Sequence, residues 1–226
     1  MQEGPYCIAC TRELTTLSAF TLHQRVNCQT HGLALLIPSW RYQAVDTIYK
    51  TTGIHPMKVV NALVACSDLT GYIRLAKSGA EEQTFRLLND FAELTGDIIE
   101  GAGGQVIKFM GDAALILFTE EKVNEGITAL LRLQREGDEF LAAKSVSCRQ
   151  HIRAHYGPVV IGELGTRTDK RIDVLGANVN AMFLLKTSGF TITPEVFRKL
   201  NAHSRTYFKK HTPPITYIPT GQPHRD

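Results

Sequence analysis

Residues 59–66 form a nearly continuous apolar run that ends abruptly at Ser67 and Asp68. Apolar character without alternation, over strand length, marks a strand covered on both faces. The next sixty residues narrow the fold. In residues 81–100, Phe85, Leu88, Phe91, Leu94 and Ile98 recur at steps of three and four, an amphipathic helix. Glycines within residues 101–104 stop it. Residues 105–109 and 113–118 are short apolar strands separated only by Met110, Gly111 and Asp112, which predicts a hairpin. A second helix is expected over 123–140, with Val123, Ile127, Leu130 and Leu131 on one side. Residues 146–154 and 158–162 read as another strand pair around Gly157. A strand over 171–175 and a short helix over 178–186 come next, and later pieces alternate similarly. The order β-α-β-β-α-β is the ferredoxin-like arrangement. It predicts an α+β domain, helices on one face of an antiparallel sheet, with extra C-terminal strands and helices.

The chain has 226 residues, enough for one full domain and a small appendage. Residues 1–55 differ from the rest. They hold three of the five cysteines, the only tryptophan (Trp40) and no clear alternating strand. Residues 51–56, broken by Gly53 and Pro56, read as a linker, so the main domain is expected over 56–226. The net charge of +3 is spread along the chain, without the concentrated basic face that nucleic acid requires. The locally basic stretch 198–211 reads as a solvated segment. No run of 18 apolar residues predicts a membrane span. Residues 1–6 lack the basic and apolar regions of a signal peptide, so a cytoplasmic protein is expected.

Asp68 ends the first core strand and Asp112 sits at the hairpin tip. In a β-α-β-β-α-β sheet the first and third strands are central neighbours, which lets these two positions lie side by side. Paired carboxylates are costly unless a cation lies between them. Hard oxygen ligands with open positions suit Mg²⁺ or Mn²⁺ carrying substrate phosphates. Either aspartate alone reads better as a turn cap.

Four segments together are more specific: VACSDLTGY (64–72), GGQVIKFMGDA (103–113), GPVVIGELG (157–165) and IDVLGANVN (172–180). In this order and spacing, over residues 59–189, they resemble the class III nucleotidyl cyclases, the adenylate and guanylate cyclases. The resemblance implies that Asp68 and Asp112 hold two divalent ions. One ion would favour deprotonation of the ribose 3′-hydroxyl and both would bind the triphosphate. Leu69 is implied at the metal site, and the backbone of Leu69, Thr70, Gly71 and Tyr72 near the phosphates. Lys108 and Asp173 match the pair that reads the base. A lysine donor to N1 and an aspartate acceptor from the 6-amino group suit adenine, so ATP is the expected substrate. Asn180 matches the asparagine that orients the ribose. In this family the site forms between two catalytic domains, and all these residues are in one chain. A head-to-tail homodimer with two equivalent sites is implied.

The pattern breaks at one place. The family carries an arginine four residues after this asparagine, and here that position is Leu184. Losing such a donor costs about 10²–10³ in rate. Lys186 points to a different side of the helix, and Arg167, Lys170 and Arg171 are candidate substitutes from a loop. Two functional expectations result: an adenylate cyclase, slow or with a displaced cation, and a pseudocyclase that binds nucleotide without turnover. A third is a zinc-anchored interaction module with a decayed cyclase body.

The N-terminal cysteines suggest that anchor. Cys7 and Cys10, then Cys28 and His31, are ligand pairs separated by 17 residues. A Cys₃His set fits tetrahedral Zn²⁺ in a structural role. His23 is an alternative to His31. Cys66 and Cys148 read as small buried hydrophobes. His151 and His155 alternate on one strand with no evident partner.

Overall fold

In a computed structural model, the structure describes residues 57–78, 80–185 and 187–224. They form an α+β domain around one sheet. The strands are β1 (Met57–Thr70), β2 (Gln105–Met110), β3 (Ala113–Thr119), β4 (Arg149–Gly165), β5 (Lys170–Leu175), β6 (Phe190–Ile192), β7 (Phe208–His211) and β8 (Thr216–Pro219). The helices are α1 (Tyr72–Ser78), α2 (Glu81–Gly101), α3 (Val123–Ala143), α4 (Ala177–Phe183), α5 (Pro194–Lys199) and α6 (Ala202–Arg205). Strand order is β2-β3-β1-β4-β6-β8-β7, with β5 also paired to β4. Every pairing is antiparallel except β4 with β6.

The two faces of β1 explain its unbroken apolar run. Leu63 and Ala65 pack with Ile98 and Ile99 of α2 and Ile127, Leu130 and Leu133 of α3. Ala62, Val64 and Cys66 point the other way, against Val159, Ile161, Val174 and the α4 residues Val179 and Met182. Alternation across a strand thus feeds two cores. The sequence anticipated helices on one face, and the long α2 and α3 are there. The short α4 covers part of the opposite face. Phe85, expected on the buried side of α2, is exposed, and Thr84 is buried in its place.

The expected strand pair around Gly157 is instead a single 17-residue strand, β4. Gly157 and Pro158 look like breakers in the sequence, and the sheet absorbs both. On one edge, β1 pairs along β4 from Arg149 to Gly162. On the other, β6 pairs with Ile152–Ala154 and β5 begins at Val160, so the proline falls in the gap between two partners. A missing N–H is tolerated where the ladder is open. A β-carbon at Gly157 would lie 2.6 Å from Asn178 Nδ2, which donates to the Pro158 carbonyl at 2.7 Å.

Candidate active site

The chain is turned twice by glycines where the site is built. Gly71, at φ 92°, ends β1 and opens α1, and Gly111, at φ 66°, makes the tip of the β2–β3 hairpin. Both conformations are readily reached by glycine. Because β3 lies directly beside β1, the hairpin tip meets the end of β1. The Leu69 N–H donates to Asp112 Oδ2 at 3.1 Å. Asp112 and Asp68 are therefore neighbours, as expected. Burial pushes the Asp112 carboxyl above its ordinary value, the Leu69 N–H opposes this, and the charge of Asp68 adds to it.

Asp68 is held differently. Arg153 Nη2 donates to its Oδ2 at 2.6 Å, and His151 Nδ1 lies 3.2 Å from its Oδ1. Burial alone would raise this carboxyl. The hydrogen bond and charge of His151, with those of Arg153, outweigh burial and hold it below the usual range. His151 stands opposite Asp68 in the β1–β4 register and Arg153 opposite Cys66, so the guanidinium reaches diagonally along the ladder. Arg153 Nη1 also donates to the Phe183 carbonyl at 3.2 Å, at the end of α4.

Two carboxylates from adjacent strand ends are the right donor type for a hard divalent cation. They fit such an ion in kind. Both oxygens of Asp68 are engaged by basic side chains, Oδ2 by Arg153 and Oδ1 by His151. Among the described residues, no cluster of three or more His, Cys, Asp or Glu side chains forms a ready-made metal site.

The second expected set also comes together. Lys108 Nζ donates to Asp173 Oδ2 at 2.6 Å, joining β2 to β5. A register shift between Val106 and Lys108 accompanies it in β2. The other Asp173 oxygen accepts the Val174 N–H at 2.8 Å. Asn180 is exposed on α4. Leu184 comes one turn later, its N–H bonded to the Asn180 carbonyl at 3.0 Å, and its side chain is 76% exposed. No ion pair or hydrogen bond among the described residues joins the aspartate pair to Lys108, Asp173 or Asn180. Thr70 and Gly71 are exposed beyond Asp68, and Tyr72 is half-buried at the start of α1.

Arg171, a candidate substitute cation, is taken up by Asp169 of its own hairpin at 3.1 Å and is largely exposed. His151 and His155, expected to lack partners, both have them. His155 bridges Thr193 Oγ1 at 3.0 Å and Asn178 Oδ1 at 2.8 Å. Cys66 and Cys148 are buried free thiols, and burial pushes Cys66 up to about 11. The candidate zinc ligands Cys7, Cys10, Cys28 and His31, the alternative His23, and Lys186 lie outside the described residues. Sequence reasoning misses Arg153. Its only signal is the alternation of His151, Arg153 and His155 with Ile152, Ala154 and Tyr156, a polar face on an otherwise apolar strand.

No family model matches the chain. It is 29% identical over 121 residues to an adenylate cyclase of Anabaena cylindrica, covering 50% of this chain and 24% of that protein. It is 30% identical over 114 residues to an uncharacterized protein of Mycobacterium tuberculosis, covering 50% of this chain and 20% of the relative. The chain thus spans about a quarter or less of the curated relatives it matches. Among solved structures, a bacterial light-regulated adenylyl cyclase superposes with a TM-score of 0.68 at 22% identity, over 83% of this chain and 61% of that one. Adenylyl cyclase CyaB from P. aeruginosa gives 0.65 at 15% identity, over 74% and 97%. The catalytic core of a rhodopsin-guanylyl cyclase with converted specificity, in complex with ATPαS, gives 0.63 at 18%, over 75% and 100%. The described residues carry the fold of the class III adenylyl and guanylyl cyclase catalytic domains, as the four sequence segments anticipated.

Proposed function

We propose that the chain is a nucleotidyl cyclase that converts ATP to 3′,5′-cyclic AMP and pyrophosphate. The observation that carries this reading is the meeting of Asp112 with the end of β1 beside Asp68. Those carboxylates would hold two divalent ions, Mg²⁺ or Mn²⁺. When bound, such ions lower the pKa of a coordinated hydroxyl and neutralise phosphate charge.

The chain's own groups supply the rest. The 3′-oxygen attacks the α-phosphorus as the bond to the β-phosphate breaks; the hydroxyl proton leaves to solvent and pyrophosphate departs. Lys108 and Asp173, already paired at 2.6 Å, present a donor beside an acceptor, the pattern complementary to adenine N1 and its 6-amino group. Asn180, exposed on α4, is free to orient the ribose of a nucleotide bound against a second copy. The active form is a head-to-tail homodimer, each site taking aspartates from one copy and Lys108, Asp173 and Asn180 from the other. The setting is cytoplasmic. Among the described residues no helix is long and apolar enough to cross a membrane. The Cys7, Cys10, Cys28 and His31 set would carry a structural zinc ion.

A second reading, a nucleotide-binding pseudocyclase, is favoured by Leu184, an exposed aliphatic side chain where the resemblance expects a cation. Turnover separates the two. Purified chain with Mn²⁺ and each of the four nucleoside triphosphates is expected to yield cyclic AMP from ATP, and Asp112→Ala to yield none. Binding of ATP without cyclic product from any triphosphate would establish the second reading instead.

A further inference from the structure

Asp68 already has a cation, and it belongs to the protein. Arg153 Nη2 sits on Asp68 Oδ2 at 2.6 Å, and its side chain is only 13% exposed. Its Nη1 is anchored on the Phe183 carbonyl, and Cys66 Sγ lies 3.9 Å from Nη2. The register fixes this arrangement, because Arg153 pairs with Cys66, two residues before Asp68 on the same face of β1. A planar, permanently charged fork suits a carboxylate and a carbonyl at once.

We propose that Arg153 is a built-in counter-ion that gates divalent-cation entry, occupying the Asp68 oxygen that an incoming ion must take. This rests on the reading of Asp68 and Asp112 as the cation pair. The guanidinium and the ion compete for one carboxylate, so the ion binds at full strength only in the fraction of molecules where Arg153 has let go. The grip is built to yield. Arg153 Nε and His151 Nε2 are both buried without a hydrogen-bond partner, so the network around Asp68 is only partly satisfied. A triphosphate offers the released guanidinium a new anionic partner. Metal entry and triphosphate arrival are therefore coupled: each makes room for the other. Arg153 is a positioning residue here, acting on the cation through Asp68.

The test uses the full chain without nucleotide and Mn²⁺ alone as the probe, with free Mn²⁺ followed by electron paramagnetic resonance. If Arg153 holds Asp68 about nine-tenths of the time, its removal raises Mn²⁺ affinity about tenfold. Arg153→Ala is expected to show that gain. Arg153→Lys, whose single ammonium cannot hold Phe183 and Asp68 together, is expected to fall between Arg153→Ala and wild type. The gain should vanish when Asp112→Ala is added. Mn²⁺ binding that depends on Asp112 but is equal in wild type, Arg153→Lys and Arg153→Ala overturns the gate while leaving the cation pair intact. Binding indifferent to Asp112 in every background overturns the cation pair and the gate with it. Circular dichroism of each variant checks folding; should Arg153→Ala unfold, Arg153→Lys alone decides, an affinity no higher than wild type counting against the gate.

Discussion

The main-chain N–H of Leu69 donates to Asp112 Oδ2 at 3.1 Å, closing a contact between residues 43 apart in sequence. The hairpin tip is thereby tied to the residue next to Asp68, where burial first and then the charge of Asp68 raise the Asp112 carboxyl. Asp112→Asn keeps an acceptor for Leu69 and removes the repulsion with Asp68. Its thermal unfolding is expected to match wild type within about 1 kcal/mol, while cyclase activity falls at least about a hundredfold. A calorimetric scan and a cyclic-nucleotide assay on the same preparation check both halves.

Leu184 is exposed at the end of α4, so a longer side chain meets no packed wall. Leu184→Arg places a guanidinium one turn after Asn180. The rate is expected to rise by about 10²–10³ in steady-state turnover, the worth of one aimed cationic donor. An unchanged rate would mean that this position does not face the reacting phosphate.

In the proposed function, Lys108 and Asp173 choose the base. Asp173→Ala removes the acceptor for the 6-amino group and releases Lys108. The ratio of kcat/KM for ATP over GTP is expected to drop by about tenfold or more, the loss of one charge-assisted hydrogen bond. Competition between the two triphosphates in one reaction measures it directly.

Cys66 lies on the same strand face as Asp68, and burial pushes its thiol from 9.0 to about 11. The folded state keeps a proton that the unfolded chain releases. Stability from this group is therefore complete below pH 9.0 and is lost as the pH rises toward about 11. Native chain at about pH 8, below both values, should leave Cys66 unalkylated by iodoacetamide, with modification appearing on denaturation, as peptide mass mapping would show. Denaturant midpoints should fall between pH 9.0 and about 11 in wild type, and less so in Cys66→Ala.

Much of this was legible in the sequence because it depends on local pattern. The unbroken run 59–66 announced a strand buried on both faces, and Leu63 and Val64 indeed face different cores. The hairpin at Gly111 and the β-α-β-β order were enough to bring Asp112 to Asp68. Lys108 and Asp173, singled out by resemblance, meet as an ion pair. What stayed hidden depends on register between distant strands. Arg153 is 85 residues from Asp68, and nothing local says which β1 residue it faces. Gly157 and Pro158 misled for a related reason. They read as a break, and only the gap between β5 and β6 shows why the strand runs through them.

If the aspartates of one copy work with Lys108, Asp173 and Asn180 of another, as proposed, mixing two dead variants rebuilds a working site. Asp112→Ala spoils one half of a shared site and Asn180→Ala the other. Each alone should be inactive. A mixed dimer keeps one intact site, so an equimolar mixture exchanged to equilibrium should recover about a quarter of wild-type activity by the symmetry of the pair. A mixture as inactive as its components, made from variants that still dimerise, would rule out a site shared between copies.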